Sequence, residues 1–162
     1  VEVFALPIVS VTGGPFCVDE SSTDLAGTPT GGVYSGNGIT DMAAGTFDPA
    51  TAGVGTHTIT YTFTDLNGCI NSSDLDIDVF ALPVVDITGD PFCVDELPTD
   101  LTDTPTGGVF IGNDISDMAL GTLDPSTAGV VIHSSTYTFT DGNLCFININ
   151  LYISVLALPV FR

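Results

Sequence analysis

Four cysteines, three alternating aspartates and two histidines are the residues of this chain whose types and spacing could do chemistry. Cys17 and Cys69 stand 52 residues apart, and so do Cys93 and Cys145. Thiols in such numbers either cross-link a chain in an oxidising compartment or, with histidine, hold zinc. No Cys-x-x-Cys spacing is present and only His57 and His133 could assist, which disfavours zinc. Disulfides could form in three pairings. The equal spacing favours Cys17 with Cys69 and Cys93 with Cys145, against the alternative of four reduced core thiols. Asp74, Asp76 and Asp78 alternate along one strand face, where like charges repel unless something neutralises them. Calcium could do this through oxygen ligands. No EF-hand run accompanies the three aspartates, so they are weak calcium candidates and a solvated acidic face is the better reading. No cofactor is expected.

His57 and His133 occupy equivalent strand positions and are read as structural. Nothing marks a nucleophile, since no Gly-x-Ser-x-Gly occurs. Carboxylate pairs for glycoside chemistry lack aromatic platforms, and the chain contains no Trp. No enzyme is expected. Asp48 and Asp124 each precede proline and should organise turns. Asn71-Ser72-Ser73 is an N-glycosylation sequon, lost at Ile147 in the second half.

The elements that must position these groups follow from an internal repeat. Ala5-Leu6-Pro7, Ala81-Leu82-Pro83 and Ala157-Leu158-Pro159 recur every 76 residues, and 47 of 76 aligned positions are identical without a gap. This is a tandem duplication. Its parts are residues 1–78, residues 79–154, and a remnant, 155–162, that begins a third repeat or serves as a strand exchanged with another subunit. Thr58 to Thr64 and Asp74 to Val79 alternate polar and apolar with period two, the mark of strands with one buried face. Gly, Pro and Asn-Gly turn signals separate them, and no window makes a convincing amphipathic helix. About seven short strands per repeat predict an all-β chain of two tandem immunoglobulin-like, Greek-key β-sandwich domains, with one disulfide each. The junction at Asp78 to Pro83 has no Gly/Ser spacer, so a stiff rod is expected.

Composition narrows the partners. Asp+Glu number 20 against Lys+Arg 1, for a formal charge of −19, and the one cation is Arg162. Nucleic acid needs Lys and Arg to displace counterions, so it is excluded as a partner. Hydrophobic residues reach 44% and mean hydropathy is +0.45, which excludes disorder. The apolar runs are too short to insert in a bilayer. The chain starts at Val1 with no basic and apolar leader pattern, which suggests a processed product or a piece of something longer.

Ala-Leu-Pro-Val, Phe-Cys-Val-Asp, Gly-Thr-Pro-Thr-Gly-Gly-Val-Tyr-Ser-Gly-Asn-Gly-Ile, Thr-Phe-Asp-Pro-Ala-Thr-Ala-Gly and the run ending Tyr-Thr-Phe-Thr-Asp-Leu-Asn-Gly-Cys carry a resemblance. The chain resembles the immunoglobulin-like, PKD-like repeats of large secreted and surface proteins of Bacteroidota-type bacteria. The resemblance implies spacers, stalks and adhesive or fibrous arrays, an extracellular or cell-surface location, and paired cysteines. Repeat two departs from the pattern at Leu144, where repeat one has Gly68, so its tight turn is expected to be built differently. Ser135 replaces the inward-facing Ile59, which puts the strand register there in question.

Each repeat serves as a control for the other. Repeat two turns apolar at Leu97, Ile111, Leu120, Val131, Ile132, Ile147, Ile149 and Tyr152, where repeat one has Ser21, Ser35, Ala44, Gly55, Thr56, Asn71, Ser73 and Asp76. About half of these changes should repack the core. The rest mark a buried contact with another copy of the chain. The expected assembly surface is Leu97, Ile111, Leu120, Ile132, Ile147 and Tyr152 with the terminal Val155, Leu156, Leu158 and Val160. Such a contact would join copies in a helical or end-to-end homopolymer. The other expectation is an adhesin module that takes glycan or protein through the loops Gly31 to Ile39 and Gly107 to Ile115.

Overall fold

A computed structural model describes residues 2–89 and 91–160, so Arg162 lies outside the described residues. The chain divides into two compact units, Val1–Leu82 and Pro83–Arg162. Unit 1 contains β1 (Ser10–Thr12), β2 (Phe16–Cys17), β3 (Thr23–Asp24), β4 (Ala26–Thr28), β5 (Val33–Ser35), β6 (Ile39–Asp41), β7 (Thr46–Phe47), α1 (Pro49–Ala52), β8 (Gly55–Thr64) and β9 (Ile70–Phe80). Unit 2 repeats the order with β10 (Asp86–Thr88), β11 (Phe92–Cys93), β12 (Thr99–Asp100), β13 (Thr102–Thr104), β14 (Val109–Ile111), β15 (Ile115–Asp117), β16 (Thr122–Leu123), α2 (Pro125–Ala128), β17 (Ile132–Thr140) and β18 (Phe146–Leu156).

The strand order is that of an immunoglobulin-like Greek-key sandwich. In unit 1 one sheet runs β2-β9-β8-β5. Facing it are β3-β7-β6 and the pair β1-β4. β3 and β4 are two halves of one strand interrupted at Leu25, and β1 and β2 are two halves of a first strand that switches sheets, which leaves seven strands in the usual sense. β2 lies parallel to β9, with Cys17 opposite Phe80, while every other pairing is antiparallel. Unit 2 has the same order, with β11 parallel to β18 and Phe92 opposite Val155.

Alternation decides which side chains fill the core. On β8 Ile59 and Tyr61 point inward, and on β9 Ile77 and Val79 do, packing with Phe16, Leu25, Tyr34 and Phe47. The corresponding set in unit 2 is Phe92, Leu101, Phe110, Leu123, Tyr137 and Ile153. Asp48 and Asp124 cap one helical turn each. Their carboxylates accept the amides of Ala50 and Ser126, and proline holds the first helical position.

Two expectations about repeat two are corrected. The Leu144 turn is built as the Gly68 turn is. In both, the aspartate that opens the turn, Asp65 or Asp141, accepts two amides of the loop, and its carbonyl accepts from Gly68 or Leu144 at 3.1 Å. Leu144 therefore enters the left-handed region, with φ 69° against 82° at Gly68. The side chain recovers little of this cost, because it is 80% exposed. Leu144→Gly should raise unfolding free energy by about 1 kcal/mol, read as a higher denaturant midpoint with unchanged slope. Nor does the register slip at Ser135. Ser135 stands opposite Leu151 as Ile59 stands opposite Leu75, and it is buried.

Candidate functional site

The cysteines are placed at opposite poles of each unit. Cys17 lies beside Phe80, the last residue of β9, whereas Cys69 immediately precedes Ile70, the first. An extended strand rises about 3.3 Å per residue, so the length of β9 separates them by roughly 30 Å, while a disulfide needs Cα atoms within about 7 Å. The same holds for Cys93, opposite Leu156, and Cys145, which precedes Phe146. The expected pairing inside each repeat is therefore wrong. Cys17 and Cys145 are half-cystines, and Cys69 and Cys93 are free, partly exposed thiols. Glu20 and Glu96 close the turn after the first cysteine of each unit by accepting the Cys17 and Cys93 amides at 3.1 and 3.0 Å. Desolvation, then the Glu96 carboxylate and that of Asp95, push the Cys93 thiol up.

Asp74, Asp76 and Asp78 do share one face of β9, and each has a neutral partner. The Thr60, Thr58 and Thr56 hydroxyls opposite them on β8 donate at 2.7, 2.7 and 2.6 Å. These donors answer the repulsion that alternating carboxylates create. In unit 2 the ladder continues only as Thr136 to Asn150 and Thr138 to Asn148.

On the same outer face of unit 2, Tyr152 stands opposite Ser134 and Ile132 opposite Ser154, a diagonal neighbour pair, with Ile111 on the adjacent β14. Tyr152 and Ile132 are 69% and 70% exposed. Leu97, Ile111, Leu120, Leu156, Leu158 and Val160 are also exposed, and Ile147 is half-buried. Val155 is corrected: it is buried on β18 opposite Phe92 and belongs to the core of unit 2.

Asn71 is half-buried, and its side-chain amide, the group a glycan would modify, donates to Pro7 O at 2.8 Å. His57 donates from Nε2 to Gly53 O at 2.8 Å and accepts from Asn37 at Nδ1. In unit 2 Asp114 replaces Gly38, and its carboxylate sits 2.5 Å from His133 Nδ1 while Nε2 meets Gly129 O. Both rings fasten a turn to a strand. Asn113, Asp114 and Ile115 of the Gly107 to Ile115 loop line a surface depression with Pro98, Asp124 and Thr127.

The core carries one polar rearrangement that sequence reading missed. In unit 1 the Tyr34 hydroxyl accepts from Gly27 N at 2.7 Å and donates to Leu25 O. Unit 2 has Phe110 and Asp103 at these two places, and Asp103 takes the Tyr137 hydroxyl at 2.5 Å. The signal was a paired substitution: the tyrosine loses its hydroxyl where the glycine gains a carboxylate.

These environments set a pH window. Amides of Ala44 and Ala43 hold Asp41 below the usual carboxylate range, and the hydroxyls of Thr51 and Ser126 do so for Asp48 and Asp124. Their contribution to stability is present above about pH 4 and lost as pH falls, because the unfolded carboxylates protonate first. Burial and then the Asp103 hydrogen bond push Tyr137 up to about 12, and burial raises Tyr34. Tyrosine stabilisation is full below about pH 10 and lost as pH rises through the folded value. Melting temperature measured against pH should show a plateau that falls on both sides.

Strand order thus defines the class: each unit is an immunoglobulin-like sandwich, and the chain is an all-β tandem repeat. No protein-family model matches the chain, and no curated protein does. Among solved structures it is similar to the fibronectin(III)-like modules of Clostridium thermocellum CbhA, at 16% identity and TM-score 0.40, covering 96% of this chain and 98% of that one. It is also similar to the protocadherin gammaB7 EC3-6 cis-dimer, at 14% identity and TM-score 0.33, where it covers 94% of this chain and 47% of that chain. No helix among the described residues is long and apolar enough to cross a membrane.

Proposed function

We propose that the chain is a structural segment of an extracellular fibre or surface stalk, self-associating through the outer sheet face of its second repeat. The observation that carries this reading is the contrast between equivalent faces. Unit 1 presents an exposed Thr–Asp hydrogen-bond ladder where unit 2 presents Ile111, Ile132 and Tyr152 to solvent. Exposed apolar surface of this kind is stabilised when another copy covers it. Joining that face to a different surface of the next copy makes an open, filament-forming contact. Two half-cystines agree with an oxidising compartment, and sandwiches of this class recur among cell-surface domains. The charge of −19 keeps such an array soluble and opposes unspecific lateral pairing.

Tyr152→Asp tests the reading. Assembly followed by light scattering should be lost in the variant while its melting temperature stays within a few degrees of the parent, since the side chain stands in solvent. Unchanged assembly would remove this face from the contact. A chain that stays monomeric and binds a glycan array through the depression at Asn113 to Ile115 would instead be an adhesin module.

A further inference from the structure

We propose that Cys93 of one copy and Cys69 of the next form an intermolecular disulfide that joins copies end to end. The inference rests on the self-association reading above and adds a covalent link to it. Three observations carry it. The first is equivalence of position. Cys93 has the surroundings of Cys17: each lies opposite the last residue of the unit's long strand, each is followed by a valine whose amide bonds that residue's carbonyl, and each amide donates to a glutamate three residues on. Cys69 has the surroundings of Cys145, at the close of the same aspartate-capped turn. Those counterparts are half-cystines, so both backbone settings already carry disulfides in this protein.

The second is geometry. Cys69 is parted from Cys17, and Cys93 from Cys145, by the length of β9 or β18, so neither free thiol has a partner within its own unit. The third is access. Both sulfurs belong to partly exposed residues, which a second chain can approach. Because the two cysteines occupy unlike positions of the repeat, a bond between them is heterologous and leaves one reactive thiol on each of the joined copies. Growth can then continue.

The bond forms by exchange with a small disulfide, for which glutathione disulfide serves as oxidant. The Cys69 thiolate attacks one glutathione sulfur, and a glutathione thiolate leaves. The Cys93 thiolate of the other copy attacks the Cys69 sulfur of this mixed disulfide, and the second glutathione leaves. Two protein thiols are oxidised, one glutathione disulfide is reduced, and the two thiol protons finish on the two glutathiones. Desolvation and the Glu96 and Asp95 carboxylates disfavour the Cys93 thiolate, so the second step should quicken as pH is raised from 7 to 9.

The experiment incubates the full chain with glutathione disulfide and follows it by non-reducing electrophoresis, peptide mapping and negative-stain microscopy. Expected is a ladder of multimers that collapses on reduction, with Cys69 and Cys93 peptides joined. Cys69→Ser and Cys93→Ser should each stop the ladder at dimer or monomer. Filaments without a ladder would overturn the disulfide and leave the self-association reading standing. An oxidised monomer with Cys69 joined to Cys93 of the same chain would overturn it too. Neither ladder nor filament would sink both.

Discussion

Phe47→Ala is expected to cost about 4 kcal/mol of stability, whereas Phe47→Leu should cost under about 1.5 kcal/mol. Phe47 is fully buried on β7, its ring stacked on Phe16 with centroids 5.5 Å apart. Truncation leaves a cavity between the two sheets that the surrounding strands cannot collapse to fill. The second repeat supplies the control, because Leu123 stands at the same place, also fully buried, against Phe92 in the same core. The sandwich has thus already accommodated a leucine there. Denaturant unfolding of the two variants should separate them by a clear step in midpoint. Equal costs would mean that the Phe16–Phe47 stack, and not the filled volume, holds this layer.

Gly27→Asp alone should destabilise by about 3 kcal/mol, and adding Tyr34→Phe should recover at least about 1 kcal/mol of it. A Cβ on Gly27 would lie 2.6 Å from the Tyr34 hydroxyl and 2.5 Å from the Tyr61 ring. Removing that hydroxyl relieves one of these contacts, and the Tyr61 ring must still shift to admit the carboxylate. The second repeat carries aspartate and phenylalanine together, and its Asp103 gains the Tyr137 hydroxyl as a donor. In the double variant the carboxylate introduced at position 27 should accept from the Tyr61 hydroxyl in the same way, so the two changes compensate although each alone is unfavourable. A double-mutant cycle measures this coupling. Additive losses would show that the two cores had diverged independently.

How much of this can be read from the sequence differs by element. Period two places β8 and β9 with their inward Ile59, Tyr61, Ile77 and Val79, because one buried face leaves a local signature in the order of residues. The cysteine pairing is illegible for the opposite reason. A spacing of 52 residues counts chain, not distance, and what places Cys17 beside Phe80 is a parallel pairing between residues far apart in sequence. Val155 misleads on the same ground: the repeat motif Ala-Leu-Pro suggests that a new unit opens there, yet β11 draws Val155 into the second core. The Leu144 turn misleads because a residue's own preference is not decisive. Two amides on the Asp141 carboxylate outweigh the cost of a left-handed leucine. The apolar bias of repeat two is legible in part, since Tyr152, Ile132 and Ile111 do reach solvent, while Val155 and the half-buried Ile147 show that a list of apolar changes cannot by itself assign faces.

The most direct test of self-association is electron microscopy of the purified, unmodified chain over a range of concentrations, without added oxidant or ligand. A structural role in a fibre or stalk predicts regular filaments that lengthen with concentration and vanish in Tyr152→Asp. Monodisperse single particles at every concentration would contradict it.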